Sequence, residues 1–452
     1  MSVTNKTKDN LATLSRLLHS DLDFHEQQSS YASHNFHSFP AKFPPQLPKK
    51  FILGLTNEGE VVLDPMNGSG TTILEAQLAN RKGIGLDIDP LALKISQVKT
   101  TPLRSLPVHE TGIQLLAAAR CGLESYPERL EKFLASRWDE QSRKFIDYWF
   151  LKQAQLELAA LLIEIEKIED PKVRRFFQIV FSGIVITKSG GVSLALDLAH
   201  TRPHRAKRVI ERNGKSVFSD IEESEPAKSH LVKKQRSPFE EFEKRLRSNI
   251  KGLQNSSANP TGLVSADAQI MPIASDSIDL IVTSPPYASN AIDYMRAHKF
   301  SLVWLGFPIQ VLSEKRSEYI GNEARSDIQF ETLPEFTQKI VEEIRALDSR
   351  KGYAIHRYYS EMLRALREMY RVLKPGRCAI VVVATSVMRG KDTQTKNCLA
   401  DIGRQIGFIV PGIGVRNLDR DRRMMPVSNQ QNHASQIQQR IHEEYVIGFF
   451  KP

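Results

Sequence analysis

Short apolar runs alternate with segments of helical period at both ends of the chain. Residues 61–63 and 280–282 have the length and apolar character of buried strands. The first of them is followed by a segment of helical period at 73–80. Strands that alternate with helices are typical of an α/β fold with a largely parallel sheet. A last apolar run, at 444–450, is compatible with an antiparallel strand that closes the sheet.

The middle of the chain has a different pattern. Residues 151–169 are leucine-rich and amphipathic, and residues 174–181 continue with a helical period, so this region is predicted to consist mainly of packed helices. The polar, charge-mixed stretch 211–237 is predicted to be mobile. Charge-rich residues 313–350 indicate a flap or a second insertion. These changes divide the chain into an N-terminal arm, a first α/β part, an inserted mainly helical region and a second α/β part, at 1–33, 34–100, 101–260 and 261–452.

The strand at 280–282 is followed by an unusual turn. Proline cannot donate a hydrogen bond to a sheet and fixes its own φ, so the strand must end where two prolines follow it. The turn leaves a hydroxyl, backbone carbonyls and an aromatic ring at the carboxyl end of a strand, where open α/β sheets bind ligands. A proline-stiffened surface loop is the alternative. The residues of this turn are Ser284, Pro285, Pro286 and Tyr287.

A glycine-containing loop follows the strand at 61–63. Glycines let a backbone approach a ligand closely, and the N-terminus of the next helix offers free N–H groups. The spacing is neither GxGxxG nor Gly-Lys-Ser/Thr, and a carboxylate at the strand end would repel phosphate, so a phosphate loop is disfavoured. A cationic or hydroxyl-bearing ligand fits better. The candidate residues of the loop are Asp64, Pro65, Asn67, Gly68, Ser69, Gly70 and Thr71.

Further candidates lie around these two loops. Asp87 ends the next strand about twenty residues after the glycine loop, a position that suits a ribose diol. Asp89, directly before Pro90, is interpreted as a helix N-cap. Residues 34–48 are rich in proline and phenylalanine and form either a wall of a ligand pocket or an ordinary wrapping segment. After the proline turn, four polar side chains near one helical face are expected to line the same cleft or to be ordinary helix surface: Asn290, Asp293, Tyr294 and Arg296.

Composition narrows the class of protein. The chain has 452 residues, enough for two or three domains, and its 41% hydrophobic and 25% charged residues are those of a soluble globular protein. The net charge of +10 favours a polyanionic partner, nucleic acid before membrane. One basic cluster could neutralise phosphates and read guanine edges, or could be a solvated loop. Its residues are Arg202, His204, Arg205, Lys207 and Arg208.

Several classes are disfavoured. The three cysteines are far apart and form no CxxC pair, so neither a zinc site nor a disulfide framework is expected. The N-terminus lacks the apolar core of a signal peptide, and no apolar run approaches about 20 residues. The sequence therefore predicts a cytoplasmic protein that does not interact with membranes.

The two loops together resemble those of AdoMet-dependent DNA amino-methyltransferases. Residues 64–72 resemble the AdoMet loop of that family and residues 283–287 its catalytic motif; the resemblance spans 34–100 and 262–385. It implies a Rossmann-like AdoMet-dependent methyltransferase sheet, with 101–260 as an inserted helical target-recognition subdomain. It also implies S-adenosyl-L-methionine as methyl donor, no metal, double-stranded DNA as substrate, and a cognate restriction endonuclease as a possible partner.

The resemblance also implies roles for single residues. Asp64 would lie near the ammonium of AdoMet, Asp87 would hold the ribose hydroxyls and Asp267 the adenine amine, with Phe43 or Pro44 against the methionine part. The Ser284 hydroxyl and the Pro285 carbonyl would accept hydrogen bonds from an exocyclic amine. Tyr287 would stack on a base flipped out of the duplex.

The residue before the two prolines bears on the target base. The family mostly uses Asp or Asn there for N6 of adenine and Ser for N4 of cytosine, so Ser284 favours cytosine N4. The AdoMet loop precedes the catalytic loop, an order less usual among cytosine-N4 enzymes. Methylation of adenine N6, and of RNA or guanine N2, are therefore the open alternatives.

Overall fold

The structure is a computed structural model that describes residues 3–39, 42–196, 198, 203–211, 214–220, 231–253, 261–288, 293–321, 329–384, 386–418 and 443–452, with side chains from residue 10 onwards. Its strands are β1 (Val61–Asp64), β2 (Lys82–Asp87), β3 (Arg208–Ile210), β4 (Ser216–Ser219), β5 (Val232–Lys234), β6 (Thr261–Ser265), β7 (Ile278–Thr283), β8 (Leu373–Val383), β9 (Val387–Met388), β10 (Lys391–Asp392), β11 (Ile409–Asn417) and β12 (Glu443–Phe450). Its helices are α1 (Val3–Leu18), α2 (Gln46–Leu55), α3 (Thr71–Leu78), α4 (Pro90–Thr100), α5 (Ser105–Ser125), α6 (Pro127–Ser136), α7 (Glu140–Trp149), α8 (Lys152–Glu166), α9 (Pro171–Val185), α10 (Pro238–Leu253), α11 (Tyr294–Leu302), α12 (Ile309–Ser317), α13 (Glu335–Leu347), α14 (Ser349–Val372) and α15 (Thr395–Ile406).

Seven strands form one central sheet in the order β11-β12-β8-β7-β1-β2-β6. The strands from β8 to β6 are parallel to their neighbours, whereas β12 runs antiparallel to both β8 and β11. This arrangement confirms the predicted Rossmann-like α/β sheet and its antiparallel closing strand. It also makes β1 and β7 direct neighbours, so the two loops recognised in the sequence leave the same edge of the sheet side by side.

Both faces of the sheet are covered. The central strand β7 is buried along its whole length, as expected for a continuous apolar run between two layers of helices. On one face, Leu14 and Leu18 of α1 pack with α2 against β8 and β12. Gly448 of β12 permits this approach, since a Cβ there would lie 2.5 Å from Leu18 Cδ1. The N-terminal segment thus contributes to the core of the sheet.

One helix of the region predicted as a flap or second insertion belongs to the core. Helix α13 buries Ile340, Val341 and Ile344 against α14 and α15 on the other face of the sheet. The prediction of a flap or second insertion was therefore wrong for this helix, because its charged residues occupy the outer face of an amphipathic helix whose inner face is apolar.

Helices α5 to α10 form the inserted region around a core shared with α4 and α11, which includes the fully buried Trp304. A small sheet, β4-β3-β5, is attached to them. Two of its strands, β4 and β5, fall within the stretch 211–237 that the sequence predicts to be mobile. Backbone pairing with β3 and the small apolar cluster around Val209 hold them in place. Among the described residues no helix is long and apolar enough to cross a membrane.

Candidate active site

Loops at the carboxyl ends of β1, β2, β6 and β7 surround a single cleft of about 880 Å³, its open mouth included. Parallel strands present their carboxyl ends at one edge of the sheet, which is why residues so far apart in sequence meet there. Of the residues that the sequence singles out, this cleft is lined by Phe43, Asp64, Pro65, Asn67, Gly68, Ser69, Thr71, Asp87, Asp89, Asp267, Ser284, Pro286 and Tyr294.

Asp64 joins the two central strands. Its Oδ1 accepts a hydrogen bond from Thr283 Oγ1 at 2.7 Å and one from the Met66 backbone N–H at 3.2 Å. The side chain is buried, and burial raises the pKa of the Asp64 carboxyl to about 6. The carboxylate therefore fixes β1 against β7 and places a titratable charge in the cleft.

Asp87 holds the glycine loop in place. Its Oδ2 accepts a hydrogen bond from the Gly68 N–H at 2.7 Å, and its Oδ1 accepts one from the Asp89 N–H at 2.8 Å. Burial, and then the nearby charge of Asp89, raise the pKa of the Asp87 carboxyl to about 7. Gly68 has a φ of +48°, and a Cβ at this position would lie 3.2 Å from the Phe39 ring. Both features favour glycine at this position.

The glycine loop also contains polar atoms without partners. Asn67 donates through Nδ2 to Ser96 Oγ of α4 at 2.9 Å. Asn67 Oδ1 and Ser69 Oγ are buried and have no hydrogen-bond partner among the described residues. Because such atoms are costly to leave unpaired, a polar ligand that bonds to them is the arrangement that this loop favours. Gly70 does not line the cleft. It lies against α4, and a Cβ added to Gly70 would be 2.1 Å from Ser96 Oγ.

Asp267 follows β6 on the far side of the cleft. Its carboxylate accepts hydrogen bonds from the Gln269 N–H at 2.9 Å and from Gln269 Nε2 at 3.1 Å. Gln269 is held in turn by Arg364, whose Nε donates to Gln269 Oε1 at 2.8 Å. The acid is thus oriented by neighbours and lines the cleft between two alanines, Ala266 and Ala268.

The proline turn after β7 divides its side chains between the cleft and the core. Ser284 and Pro286 line the cleft, whereas Pro285 is buried. Tyr287 does not line the cleft. Its hydroxyl donates to Glu444 Oε1 of β12 at 3.0 Å. Burial and the Glu444 charge raise the pKa of Tyr287 well above its usual value, so its hydroxyl is a permanent donor.

The proline-rich segment after the N-terminal arm is anchored at two buried histidines. His34 Nε2 lies 2.7 Å from Glu75 Oε1 of α3, and His37 Nε2 lies 2.8 Å from Ser182 Oγ of α9. Burial lowers the pKa of His34 to about 4 and that of His37 to about 3, so both rings are neutral near pH 7. The segment supplies three side chains to the cleft, Phe39, Lys42 and Phe43.

The sequence analysis missed several cleft residues. Lys42 donates through Nζ to the His34 carbonyl at 2.8 Å, and burial lowers its pKa to about 8. Lys42 is the one basic side chain among the described residues of the cleft wall. Phe39 and Tyr319 were also missed. The aromatic and basic composition of residues 34–48 could have indicated Phe39 and Lys42, but no local pattern marks Tyr319.

The residues expected after the turn are only partly in the cleft. Tyr294 lines it, and its ring stacks on Phe39 at 5.3 Å between centroids. Asp293 instead pairs with Arg296 at 2.8 Å and with Arg316. Asn290 lies outside the described residues. Among the described residues no group of three or more His, Cys, Asp or Glu side chains could hold a metal ion.

The basic cluster lies away from the cleft, around β3. The Arg205 guanidinium lies over the rings of Tyr148 and Phe218, at 4.5 and 4.8 Å from their centroids, and pairs with Asp220. It is therefore largely committed to holding the small sheet on α7. The remaining described members are exposed His204 and Lys207 and half-buried Arg208; Arg202 lies outside the described residues.

Comparison with known proteins agrees with this geometry. A family model described as "DNA methylase", for N6 and N4 enzymes, matches residues 5–98. The Type II methyltransferase M.MvaI of Kocuria varians is 24% identical over 81% of this chain and 80% of its own length. The Type II methyltransferase M.BsoBI of Geobacillus stearothermophilus is 23% identical over 76% and 67%. The family model and these relatives support the assignment of the chain to the AdoMet-dependent DNA amino-methyltransferases.

The match to the DNA methylase family supports AdoMet as the methyl donor. The orphaned Asn67 and Ser69 atoms, the ring of carboxylates and the single lysine fit a cofactor with a cation, a diol and a zwitterionic end. A solved structure, the TehB-like SAM-dependent methyltransferase from Corynebacterium glutamicum, is 9% identical over 90% of this chain and 87% of that one, with a TM-score of 0.28.

Proposed function

We propose that the protein is a site-specific DNA methyltransferase that transfers a methyl group from AdoMet to the exocyclic N4 of cytosine in duplex DNA. The observation that carries this proposal is the position of Ser284, which lines the same cleft as Asp64 and Asp87 and directly follows β7, the strand next to β1. A hydrogen-bond acceptor for an amine and the proposed binding groups for AdoMet are thus side by side.

The cleft offers a partner for each part of AdoMet. Asp87 suits the ribose hydroxyls and Asp267, across the cleft, suits the adenine amine. Lys42 is the natural partner of the cofactor carboxylate, and Asp64 attracts its ammonium. Phe43 and the backbone of residues 68–70 would lie along the methionine part, with the N-terminus of α3 beside them.

The chemistry requires an amine nitrogen to attack a methyl group on sulfur. The lone pair of an exocyclic amine is delocalised into the base, so the nitrogen is a poor nucleophile. Ser284 Oγ and the Pro285 carbonyl accept hydrogen bonds from the amine and favour a pyramidal nitrogen. The nitrogen–carbon bond forms as the carbon–sulfur bond breaks, sulfur keeps the bonding pair, and the nitrogen then loses a proton to solvent. Alignment of the reacting atoms supplies most of the rate.

The base must leave the duplex to reach this cleft, which lies at the end of the sheet. Ser284, rather than a carboxylate or an amide, favours cytosine as that base. Nucleoside mass spectrometry of plasmid DNA methylated by the purified protein tests the assignment. We expect N4-methylcytosine; N6-methyladenine alone would overturn the choice of base while leaving DNA amino-methylation intact. Methyl transfer to RNA but not to duplex DNA would overturn the choice of substrate.

The inserted region 101–260 is our proposed target-recognition region, because it separates the two halves of the catalytic sheet and contains the basic cluster. The similarity to Type II methyltransferases favours a restriction–modification setting, with a cognate endonuclease as partner and the cytoplasm as location. Sequencing of methylated bases in host DNA would give the base and the recognition site together.

Lys207 tests the basic cluster without disturbing the fold. Its side chain is exposed, whereas Arg205 is held by aromatic rings and Asp220. We expect Lys207→Glu to weaken DNA binding and to make the slope of log K against log salt shallower by about 1. Lys82→Glu makes the same charge change at the exposed amino end of β2, away from the basic cluster in sequence and from the cleft, and should leave both quantities nearly unchanged. Equal effects of the two substitutions would show that only net charge matters.

AdoMet binding should depend on pH in a defined way. The pKa is about 6 for Asp64 and about 7 for Asp87, and the cationic cofactor favours their ionised forms. Affinity should therefore rise from pH 5.5 to about pH 7.5, with proton release. Above about pH 8, Lys42 loses its charge and the affinity should fall again. Isothermal titration calorimetry in buffers of different ionisation enthalpy measures both effects; an affinity that stays constant over this range would contradict these assignments.

A further inference from the structure

Asp89 does more than cap a helix. Its Oδ1 accepts hydrogen bonds from the N–H groups of Leu91 and Ala92, at 2.7 and 3.1 Å, which is the N-cap that the sequence predicts. Its Oδ2 lies 2.6 Å from His298 Nδ1 and accepts a hydrogen bond from the Tyr319 hydroxyl at 2.7 Å. A cap does not need the second pair of bonds. They connect β2 and α4 with two segments more than 200 residues away in the sequence.

Both distant partners belong to segments that form the cleft wall. His298 lies one helical turn after Tyr294 in α11, and residues four apart lie on the same side of a helix. Tyr294 lines the cleft and stacks on Phe39. Tyr319 lines the cleft itself. Asp89 therefore connects both aromatic walls to the strand end that carries Asp87.

These bonds are buried and charge-assisted. Asp89 is 4% exposed and His298 is 0% exposed. Although burial disfavours the charge of Asp89, its pKa lies below the usual value because His298, Tyr319 and the helix N–H groups stabilise the carboxylate. Hydrogen bonds to a buried carboxylate are strong and directional, and the loss of one partner leaves the charge incompletely paired. These bonds can therefore fix the distance between Asp89 and its two partners, His298 and Tyr319.

We propose that Asp89, His298 and Tyr319 form a positioning hub that sets α11, and with it the catalytic turn that precedes this helix, against the AdoMet-binding end of β2. The inference rests on the proposed methyl transfer. The hub residues are positioning residues, because their polar atoms bond to each other rather than to the reacting groups. Transfer needs nitrogen, methyl carbon and sulfur in line, and a misplacement of about 1 Å can lower a rate about a hundred-fold.

Three substitutions remove the hub bonds with little change of shape. Asp89→Asn keeps an oxygen for the helix cap but cannot accept both distal bonds. His298→Leu removes the donor at Nδ1, and Tyr319→Phe removes only the hydroxyl. His298→Asn is the rescue variant, because its amide nitrogen can replace Nδ1 as donor. Glu60→Gln is the control; it weakens the partly buried pair with Arg377 at the amino end of β1, away from the cleft.

Two measurements separate positioning from general stability. The first is the single-turnover rate of methyl transfer at saturating AdoMet and DNA, compared with the AdoMet dissociation constant. We expect His298→Leu and Asp89→Asn to lower the rate at least about ten-fold, with a change in AdoMet affinity of less than about three-fold, and His298→Asn to recover most of the rate. The double variant Asp89→Asn/His298→Leu should be no slower than the slower single variant. Glu60→Gln should lower the melting temperature without changing the rate.

The second measurement is hydrogen–deuterium exchange of α11 and of residues 319–321, which requires no methylation. Protection should fall in His298→Leu, return in His298→Asn and stay unchanged in Glu60→Gln. Unchanged protection, additive rate effects, or a rate that falls only in proportion to thermal stability would each overturn the hub. A wild-type protein that methylates no DNA but shows the expected exchange pattern would instead contradict the proposed function.

Discussion

Ser284→Ala should lower the rate of methyl transfer by about a hundred-fold while AdoMet still binds with nearly wild-type affinity. Ser284 lines the cleft at the end of β7, opposite the glycine loop, and its hydroxyl is our proposed acceptor for the target amine. Removal of one preorganised hydrogen-bonding group from a reaction site typically costs about 10²-fold in rate. The serine is not among the residues proposed to bind the cofactor, so the AdoMet dissociation constant should change little.

The measurement is a single-turnover assay with labelled AdoMet and plasmid DNA, alongside calorimetric titration of AdoMet. Ser277→Ala is the matched control, because Ser277 directly precedes the other end of β7 and its hydroxyl donates only to the nearby Ala274 carbonyl at 2.7 Å. Full activity of Ser284→Ala would remove the serine from the mechanism. Equal losses of rate and of AdoMet affinity would show that the substitution disturbs the cleft as a whole.

The central part of this site could be predicted from sequence because its signals are local. Glycines, an acid at a strand end and two prolines each indicate a turn or the end of a strand within a few residues. The parallel sheet then brings these turns together, since parallel strands place their carboxyl ends at one edge. The pairing of Asp64 with Thr283 across β1 and β7 is the physical result of that topology.

The missed residues depend on contacts between distant segments. Tyr319 follows a charged helix and has no local pattern, and only the tertiary fold brings its hydroxyl to Asp89. The same holds for Asp89, whose capping role is visible in Asp-Pro but whose second oxygen serves residues far along the chain. Lys42 was overlooked among aromatic and proline neighbours, although its charge is what distinguishes it in the cleft.

The fold prediction that was wrong assumed that charge-rich residues lie in an exposed segment. The charge-rich residues of α13 lie on one side of a helix whose other side is core. In the basic cluster, Arg205 is held between rings and an acid, so a basic residue there is not automatically a contact to phosphate. Composition counts charges but does not show which are already paired within the fold.

Asp64→Asn should weaken AdoMet binding by about a hundred-fold or more, and Asp64→Ala should abolish measurable binding. The asparagine keeps an oxygen that can accept the bonds from Thr283 and Met66, so it removes the charge and little else. A hydrogen bond to a charged group contributes about 1.5–3 kcal/mol, which corresponds to about 10- to 150-fold, and loss of attraction for the cationic cofactor adds to it.

The stability of the free protein separates this effect from damage to the fold. Burial raises the pKa of Asp64 to about 6 in the folded state, above the usual value of an aspartate, so the ionised carboxylate disfavours folding at pH values above about 6. Asp64→Asn should therefore leave the melting temperature at pH 8 unchanged or slightly higher, even though AdoMet binding is much weaker. Thr283→Val provides the converse control, since it removes the bond between β1 and β7 but keeps the charge. If Thr283→Val weakened AdoMet binding as much as Asp64→Asn, the carboxylate would act by holding the strands together rather than by attracting the cofactor.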